Sequence, residues 1–481
     1  MKILFAASEC YPFAKTGGLG DVVGALPKEL IKCGAEVRVI LPKYGDIPEA
    51  FVKDMKHITD FYFFVSWRNQ YCGIEELQYE GVTYYFIDNE YYFKRSGYYG
   101  YYDDGEKFVY FSKAIVECIK AIGFKPDIIH CHDWHTALIP FFVKKIFSDD
   151  FYKDIRTVLT IHNLKYQGVF PKDVLGDLLG IGESYFNTED FEFYGAVNFL
   201  KTGIIYSDSV TTVSPTYAQE IQYEYFGEKL DGLLRKNNFK LKGILNGIDY
   251  ELYNPEKDNH LKQRYKDSYA VKLKNKLEFQ KMFSLPQNKD IPMISIVSRL
   301  TEQKGIDLIQ AVIHEILVMD IQLAVLGSGE YKYEQLFKDL VWQYPDKIRV
   351  FIKFDELLSR RIYAASDMML MPSRYEPCGL TQMIAMKYGA VPIVRKTGGL
   401  NDTVTSYEED TSRGTGFVFN NYNAHEFLFT VQRAVRLYYD NKEEWDKLFN
   451  NAIAEDLSWK KSASAYFQNY NDIKYHETGR N

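Results

Sequence analysis

Short apolar runs rich in β-branched residues recur along the chain, and a turn and a helical pattern follow each of them. The runs are continuous rather than alternating, which is typical of strands buried on both faces of a parallel sheet that helices cover. One intervening segment, residues 305–317, places Ile306, Ile309, Ile313 and Ile316 near one helix face. The pattern predicts ten buried strands, at residues 2–8, 36–42, 127–132, 156–162, 209–214, 293–300, 321–327, 348–354, 367–373 and 390–396.

The same strand–turn–helix pattern fills both halves of the 481-residue chain, which is too long for one ordinary hydrophobic core. We therefore predict an α/β protein with two Rossmann-like, doubly wound domains. Their seam is expected near residues 245–255, with a charged, lysine-rich helical segment at 256–283. The predicted domains are residues 1–244 and 245–459.

Composition narrows the class of protein. The formal net charge of −7 gives no basic footprint for nucleic acid. The six cysteines form no C-x-x-C pair, which fits a reducing cytoplasm better than a disulfide framework. The apolar start of the chain is interpreted as the first strand rather than as a signal peptide, and no run reaches the roughly 18 apolar residues of a membrane helix. We expect a cytoplasmic protein without a membrane partner.

The chain has 39 tyrosines, and many of them lie in residues 89–108. Aromatic faces with polar neighbours suit stacking against sugar rings or bases. A tyrosine-rich loop that packs on its own domain would show the same composition, and the sequence leaves both interpretations open.

Two nearly identical heptapeptides lie about 380 positions apart: KTGGLGD at residues 15–21 and KTGGLND at residues 396–402. Each follows a predicted strand, and ligands of doubly wound sheets bind beyond the carboxyl ends of the strands. Glycine permits a positive φ and a close approach of a ligand to the backbone. Each Gly-Gly pair alone could be a simple turn, but two copies at strand ends predict two loops that line one cleft.

Two segments of the second half suit phosphate. SRLTEQKGID, residues 298–307, places Arg299 and Lys304 on a strand-to-helix turn where both can meet one anion near a helix N-terminus. In YEPCGLTQ, residues 375–382, the backbone N–H groups after Cys378 open a helix, and Glu376 can accept hydrogen bonds from sugar hydroxyls. Cys378 has no evident His–Asx partner, so we expect a packing or contact role rather than a nucleophile.

HCHDWHTAL, residues 130–138, gathers three histidines, a cysteine and an aspartate. Adjacent residues at a strand end point in different directions, and neither H-E-x-x-H nor C-x-x-C spacing is present, so we favour a cleft role for Asp133 and His135 over a metal site. HNLKYQG, residues 162–168, follows the next predicted strand and offers His162 and Asn163 to a ligand.

No two aspartates are two positions apart, so the chain has no D-x-D motif to hold a metal on a nucleotide diphosphate. We expect no metal and no cofactor. Charge on a diphosphate leaving group would then be met by Arg299, Lys304 and helix N-termini.

Taken together, KTGGLGDV, HDWH, HNLKYQG, LNGID, SRLTEQKG, PSRYEPCGLTQ and TGGLNDTV closely resemble the bacterial glycogen synthases and plant starch synthases. The resemblance runs in order from residue 2 to about residue 460, and the combination of motifs is highly specific. It implies the GT-B fold, with two Rossmann-like domains that face each other across a deep cleft. It also implies an ADP-glucose:α-1,4-glucan glucosyltransferase that adds glucose to the non-reducing end of glycogen, with retention and without a metal. A final segment, residues 460–481, is expected to cross back to the first domain.

The resemblance also implies roles for particular residues. Catalysis is assigned to Lys15, His162, Arg299, Lys304 and Glu376. Binding of the nucleotide sugar is assigned to Lys15, Gly17, Gly18, Asn246, Arg299, Lys304, Phe354, Cys378, Gly379, Leu380, Thr381, Thr397, Gly398 and Gly399. The glucose and acceptor side is assigned to Asp21, Asp133, His135 and Asn163.

Two positions depart from the family pattern. Phe354 stands where a tyrosine is usual at an expected adenine-stacking position, which keeps the stacking and removes a hydroxyl. Lys165 stands where a small residue is common, on the acceptor side.

Two other functions fit part of the sequence pattern. A nucleotide-sugar 2-epimerase of the same fold should lack the EPCGLT segment and would not elongate glucan. A non-catalytic glucan-binding protein should have lost Arg299, Lys304 or Glu376, and all three are present.

Overall fold

The computed structural model describes residues 1–475. The chain forms two compact units, Met1–Asn246 together with the C-terminal helix, and Gly247–Ser458. The predicted C-terminal segment extends to residue 481, and residues 476–481 lie outside the described part of the chain.

The first unit contains a nine-stranded sheet and a small three-stranded sheet. Its strands are β1 (Lys2–Ala6), β2 (Glu36–Pro42), β3 (Lys56–Val65), β4 (Arg68–Tyr79), β5 (Val82–Asp88), β6 (Ile128–His132), β7 (Arg156–Ile161), β8 (Val169–Phe170), β9 (Glu192–Phe193), β10 (Ala196–Asn198), β11 (Ser209–Thr212) and β12 (Leu241–Gly243). The large sheet has the order β12-β11-β7-β6-β1-β2-β5-β4-β3 and is parallel from β12 to β5. Strands β4 and β3 continue it antiparallel.

The second unit contains one six-stranded sheet, and every pairing in it is parallel. Its strands are β13 (Met293–Val297), β14 (Gln322–Leu326), β15 (Ile348–Phe351), β16 (Met368–Met371), β17 (Val391–Arg395) and β18 (Phe417–Phe419). Their spatial order is β15-β14-β13-β16-β17-β18. This is the 3-2-1-4-5-6 order of a doubly wound nucleotide-binding sheet.

Seventeen α-helices connect or cover these strands in the described residues. They are α1 (Gly18–Lys32), α2 (Glu49–Val52), α3 (Glu90–Phe93), α4 (Asp104–Ala121), α5 (Ile139–Phe141), α6 (Phe199–Tyr206), α7 (Pro215–Glu220), α8 (Asp231–Lys236), α9 (Tyr269–Met282), α10 (Ile306–Val318), α11 (Tyr331–Gln343), α12 (Glu356–Ala365), α13 (Thr381–Lys387), α14 (Gly398–Thr403), α15 (Ala424–Asp440), α16 (Lys442–Ala454) and α17 (Trp459–Tyr475). None of those between residues 1 and 475 has the length and apolar character that a membrane crossing would need.

The parallel part of each large sheet has one point where the strand order reverses. In the first unit β1 lies between β2 and β6, and in the second unit β13 lies between β14 and β16. Ligands of such sheets bind beyond the carboxyl ends of the strands at this switch point. We therefore expect functional residues in the loops after β1, β6, β13 and β16.

All ten predicted strands occur, and most are shorter than predicted by one to three residues. The helix predicted at 305–317 is α10, and its four predicted inward isoleucines are at most 1% exposed. They pack in the core of the second unit with residues of α15 such as Val431 and Ala434. The helix predicted across 256–283 is shorter than expected, since α9 begins only at Tyr269.

The C-terminal helix α17 packs within the first unit. The hydroxyl of Tyr470 lies 2.7 Å from Nδ1 of His130 on β6, and both side chains are fully buried. Ser209 Oγ on β11 donates to Asn469 Oδ1 at 3.2 Å. The last described helix thus packs against the sheet to which the first strand of the chain belongs.

Candidate functional site

The switch point of the second unit carries a buried ion pair. Lys304 ends the turn after β13, and Glu376 lies in the loop after β16. Lys304 Nζ donates to both carboxylate oxygens of Glu376, at 2.9 and 2.7 Å. Ser373 Oγ donates to the same carboxylate at 2.9 Å. Two loops that are 72 residues apart in sequence are therefore joined at the predicted phosphate- and sugar-binding residues.

A glycine conformation brings these two loops together. Gly305 follows Lys304 with φ of 73°, in the left-handed region that favours glycine. A Cβ at this position would lie 2.1 Å from the carbonyl oxygen of Pro372. The Lys304 turn can approach the β16 loop this closely only because residue 305 has no side chain.

Arg299 lies on the same connection between β13 and α10 but is exposed, and its Nη2 donates to Gln303 Oε1 at 3.2 Å. It therefore stands outside the Lys304–Glu376 pair. Its guanidinium is accessible to an anionic ligand at the carboxyl end of β13.

The EPCGLT segment turns into α13, which begins at Thr381 with Leu380 as its N-cap residue. Gly379 has φ of 68°, and Cys378 is 7% exposed. Burial of Cys378 agrees with the packing role that the sequence favours over a nucleophile. Gln382 Nε2 donates to the Cys378 carbonyl at 3.1 Å and fixes the turn from the first residues of the helix.

The second heptapeptide packs directly on this turn. Gly398 opens α14 after the N-cap residue Thr397, and β17 ends at Arg395, just before the heptapeptide begins. A Cβ at Gly398 or Gly399 would lie 1.9 Å from the carbonyl oxygens of Glu376 and Cys378, respectively. The Gly-Gly pair is thus required for contact between two loops of the second unit.

Phe354 lies in the loop between β15 and α12 and is 80% exposed. A large aromatic ring that is not packed into its own unit is available to stack on a ligand. The predicted stacking role is compatible with this exposure.

In the first unit, the first heptapeptide is held by a residue that the sequence did not single out. The Glu9 carboxylate accepts hydrogen bonds from the backbone N–H groups of Thr16 and Gly17, at 2.6 and 3.3 Å, and from Thr16 Oγ1 at 2.7 Å. The hydroxyl of Tyr99 donates to it at 2.7 Å. Glu9 is only 4% exposed, so it acts as an internal anchor for the KTGG loop.

The side chain of Lys15 forms an ion pair with Asp21, with Nζ 2.7 Å from the carboxylate. Asp21 lies in the first turn of α1, three residues after the exposed Gly18. Gly17 has an extended backbone, and a Cβ there would meet no atom within 4 Å. The first Gly-Gly pair therefore lies open to solvent, in contrast to the second.

The loops after β6 and β7 converge beside Glu9. Asp133 Oδ1 accepts the backbone N–H of His162 at 2.7 Å. Burial raises the pKa of Asp133 to about 7, and the negative charge of Glu9 acts in the same direction. Hydrogen bonds from the backbone N–H groups of His162 and Asn163 lower this pKa and offset part of the increase. Asp133 has φ of 54°, a conformation that costs energy for a residue other than glycine. A perturbed carboxyl pKa and a strained backbone conformation are both common at functional sites.

The histidines of this edge are neutral at pH 7. Burial lowers the pKa of His162 to about 3 and that of His135 well below its usual value. His162 Nε2 lies 2.9 Å from His132 Nδ1, so one of these nitrogens donates to the other. The His135 ring packs 4.7 Å from that of Tyr99, and its Nδ1 finds no partner among the described residues. The hydrogen bond between His132 and His162 thus fixes the orientation of the His162 ring, which directly follows β7.

Asn246, the last residue of the first unit before the chain enters the second, is 4% exposed. Its Oδ1 has no hydrogen-bond partner within residues 1–475. A buried amide oxygen without a partner can accept a hydrogen bond from a ligand hydroxyl.

The structure accordingly groups the predicted residues into two sets, one on each unit. The tyrosine-rich segment supplies Tyr99 to the first set and otherwise packs largely on its own unit, although Tyr91 and Tyr102 are exposed. Glu9, Ser373 and His132 were missed by motif reasoning. Glu9 could have been suspected from its place just after β1, ahead of the glycine loop.

Comparison with known proteins shows the family to which the chain belongs. Residues 2–236 match the model of the starch synthase catalytic domain, and residues 278–453 match that of the group 1 glycosyl transferases. The chain is 55% identical to the glycogen synthases of Anoxybacillus flavithermus and of Bacillus cereus strain Q1, over 98% of its length and 98% and 100% of theirs.

Among solved structures, the chain is similar to the catalytic domain of starch synthase IV from Arabidopsis thaliana bound to ADP and acarbose. The TM-score is 0.93 at 36% identity, with 99% of both chains covered. A sucrose-phosphate synthase from Thermosynechococcus elongatus, at a TM-score of 0.63 and 18% identity over 98% of both chains, shares the fold. The chain therefore belongs to the glycogen and starch synthase family of glycosyltransferases, with the GT-B fold.

Proposed function

We propose that this protein transfers glucose from ADP-glucose to the non-reducing end of an α-1,4-glucan, with retention of the anomeric configuration and without a metal ion. The observation that carries the proposal is the Lys304–Glu376 pair at the switch point of a nucleotide-binding sheet. A relative with the same fold was solved with ADP and acarbose bound, which supports a nucleotide diphosphate and an oligosaccharide as ligand classes.

The charges of the second unit suit a diphosphate leaving group. Lys304 neutralises the Glu376 carboxylate, so this buried acid does not repel the phosphates. A lysine ammonium has three donors, and two of those of Lys304 are directed at Glu376, which leaves one for a phosphate oxygen. Arg299, exposed on the same connection, adds a second cation. Donors fixed before the reaction stabilise developing charge at little reorganisation cost.

Glu376 is proposed to hold the transferred sugar. An ionised carboxylate has about four lone-pair directions, and Lys304 and Ser373 take three hydrogen bonds. The remaining capacity can accept a sugar hydroxyl. Cys378, Gly379, Leu380 and Thr381, with Thr397, Gly398 and Gly399 packed against them, would form the backbone surface around sugar and phosphates, and Phe354 would stack on the base.

The first unit is proposed to supply the acceptor side and one further cation. Lys15, positioned by Asp21 and by the Glu9 anchor, would act on the donor in the transition state. Neutral His162 can exchange a hydrogen bond with a sugar hydroxyl without adding charge. Asp133, His135 and Asn163 complete this edge, and Asn246, the last residue of the first unit before Gly247, is proposed to contact the nucleotide sugar.

No metal has a part in the proposed reaction. The sequence has no D-x-D motif, and among the described residues no group of three histidine, cysteine or acidic side chains is placed to hold a metal ion. The roles that a metal would have on the diphosphate fall instead to Arg299, Lys304 and Lys15.

The direct test is incorporation of labelled glucose into glycogen from ADP-glucose and, in parallel, from UDP-glucose. Incorporation with ADP-glucose in the presence of a chelator is expected. Loss of activity on chelation that Mg²⁺ or Mn²⁺ restores would overturn the metal-free mechanism. Conversion of a nucleotide sugar without growth of the glucan would favour an epimerase, and glucan binding without turnover would favour a binding protein.

A further inference from the structure

The His132 ring has one nitrogen with a hydrogen-bond partner and one without. His132 is the last residue of β6 and is fully buried. Its Nδ1 lies 2.9 Å from Nε2 of His162, the residue that follows β7. Its Nε2 is enclosed and has no partner within residues 1–475. Most buried polar atoms of side chains are hydrogen-bonded, so an enclosed ring nitrogen without a partner is unusual.

The hydrogen between the two rings can belong to either histidine. Burial lowers the pKa of His132 well below its usual value and that of His162 to about 3, so each neutral ring carries one hydrogen. If His162 donates from Nε2, His132 must carry its own hydrogen on Nε2, as a buried N–H group. If His132 donates from Nδ1, its enclosed Nε2 holds only a lone pair.

The surroundings of His132 favour the second arrangement. The Phe5 ring stacks on that of His132 with the ring centres 5.3 Å apart, and the His130 ring lies 4.2 Å away. Both nitrogens of His130 are already engaged, Nδ1 with the Tyr470 hydroxyl and Nε2 with Thr160 Oγ1. Neither ring therefore supplies an acceptor for an N–H group at Nε2 of His132. Buried N–H groups without an acceptor are also rarer in protein backbones than buried acceptors without a donor.

A donor at His132 determines where His162 carries its hydrogen. Because Nε2 of His162 then accepts, the single hydrogen of the neutral His162 ring must be on Nδ1. His162 is only partly buried, and its Nδ1 makes no hydrogen bond in the described part of the chain. The backbone of His162 is held separately, since its N–H donates to Asp133 Oδ1 at 2.7 Å. The site therefore has a fixed N–H group that can donate to a ligand oxygen.

We propose that His132 is a positioning residue of the transfer site, and that it sets the tautomer of His162 so that Nδ1–H donates to a hydroxyl oxygen of a bound sugar. The identification of the ligand as a sugar rests on the proposed function. A hydroxyl that accepts from His162 keeps its own hydrogen for a second contact, whereas the opposite tautomer would use that hydrogen. His132 acts before the reaction, by removing the choice between two tautomers.

The first test is nitrogen NMR of the full-length protein with ¹⁵N-labelled histidine, which distinguishes a protonated ring nitrogen from an unprotonated one. The chain has nine histidines, and the spectrum of His162→Gln identifies the signals of residue 162. In the wild type we expect the hydrogen on Nδ1 of His162. A hydrogen on Nε2 of His162 would overturn the proposal. This measurement needs no variant of His132, so a variant that fails to fold does not prevent the test.

Two variants of His132 test the effect on turnover. In His132→Asn the amide nitrogen is bonded to Cγ, as Nδ1 is in histidine, so it can still donate to His162. In His132→Gln the amide lies one atom further out, and no donor remains at the Nδ1 position. We expect His132→Gln to lower kcat by about 10- to 100-fold, the usual effect of one unmade hydrogen bond, and His132→Asn to restore most of it. The spectrum of His132→Gln should show His162 with hydrogen on both nitrogens in exchange, since both tautomers are then open to it.

Tyr470→Phe is the matched control, because it removes a different buried hydrogen bond to a β6 histidine, that to Nδ1 of His130 at 2.7 Å. We expect a lower Tm with kcat unchanged below the melting range. A normal kcat in His132→Gln, equal losses in His132→Gln and His132→Asn, or an equally large loss in Tyr470→Phe would overturn the proposal. A protein that carries the hydrogen on Nδ1 of His162 but transfers no glucose would leave the role of His132 standing and reject only the proposed function.

Discussion

Lys304 and Glu376 form a two-pronged ion pair, in which Nζ lies 2.9 and 2.7 Å from the two carboxylate oxygens. The pair is mostly buried, with side-chain exposures of 17% and 6%. It joins the loop after β13 to the loop after β16, the two strands at which the order of the sheet reverses. Such a pair compensates the charge of Glu376, the acid proposed to bind the sugar, while leaving a cation beside the position proposed for the phosphates.

Removal of either cation should impair turnover. We expect Arg299→Ala and Lys304→Ala each to lower kcat by about 10²–10³, or about 2.7–4 kcal/mol, as for the loss of one preorganised donor. Steady-state kinetics with ADP-glucose and glycogen measures this. Lys289→Ala, which removes an exposed ion pair to Asp290 in the same unit, serves as a control with kcat unchanged.

The two variants should differ in stability. Arg299 is exposed, so its removal should leave Tm unchanged. In Lys304→Ala, the buried Glu376 carboxylate keeps only the Ser373 bond of the three hydrogen bonds described above. Because the buried carboxylate then has lost its cationic partner, Tm should fall. A near-normal kcat in either variant would show that the leaving group is stabilised elsewhere.

The two lysines of the repeated heptapeptide should differ in their contribution to turnover. Lys15 belongs to the first unit and is held by Asp21, whereas Lys396 is exposed at the end of β17 and the neighbouring glycines make the contacts. An interaction gained only in the transition state acts on kcat. We expect Lys15→Ala to depress kcat strongly, and Lys396→Ala mainly to shift the KM for ADP-glucose. Equal losses of kcat would mean that the two lysines have equivalent roles.

The two glycine pairs should differ in tolerance of a side chain. A Cβ at Gly398 would lie 1.9 Å from the Glu376 carbonyl, at a φ of 44°, while a Cβ at Gly17 would meet nothing within 4 Å. We expect Gly398→Ala to lower the free energy of unfolding by at least about 1–3 kcal/mol, the usual cost of overpacking. Gly17→Ala should change it by under about 1 kcal/mol. Denaturant unfolding of both variants measures these changes. Similar losses of unfolding free energy in the two variants would contradict the expected difference between the glycine pairs.

Asp133 predicts a pH dependence of stability. Its pKa of about 7 in the folded protein exceeds the unfolded value of about 3.9, so the folded state binds the proton more tightly. The stability it contributes is fully present below about pH 4 and is lost as pH rises to about 7. Asp133→Asn keeps an oxygen to accept the His162 N–H and removes this dependence.

The unfolding free energy of Asp133→Asn should therefore rise relative to that of the wild type between about pH 4 and pH 7. Chemical denaturation across this range measures the difference, and the exposed Asp150→Asn is the matched control. A constant difference between Asp133→Asn and the wild type would show that Asp133 titrates normally.

The parallel sheets could be predicted from sequence because their strands are buried on both faces and appear as continuous apolar runs. Strands β3, β4 and β5, the short edge strands β12 and β18, and the three strands of the small sheet were not predicted. In β3 the exposed Tyr62 and Phe64 alternate with the buried Phe63 and Val65. This antiparallel edge strand has one face in solvent, but both of its faces carry aromatic residues. Polar and apolar residues therefore do not alternate along it, and the two-residue repeat of a strand is not visible in the sequence.

The candidate site was predictable where chemistry follows a strand end, as for Lys304 and Glu376. The anchors were not, because a side chain such as Glu9 acts through tertiary contacts. Its four hydrogen bonds link residues 9, 16, 17 and 99, and no local pattern encodes the contact with Tyr99. The difference between the two heptapeptides likewise depends on whether another loop packs on the glycines.

The proposed transfer reaction is tested most directly by proton NMR of a reaction of the purified protein with ADP-glucose and maltoheptaose in the presence of a chelator. Retaining transfer predicts one equivalent of ADP for each glucose added, and new α-1,4 linkages at the non-reducing end as the first product formed. Release of free glucose without chain growth, or a β-linked product, would contradict retaining transfer to an α-glucan.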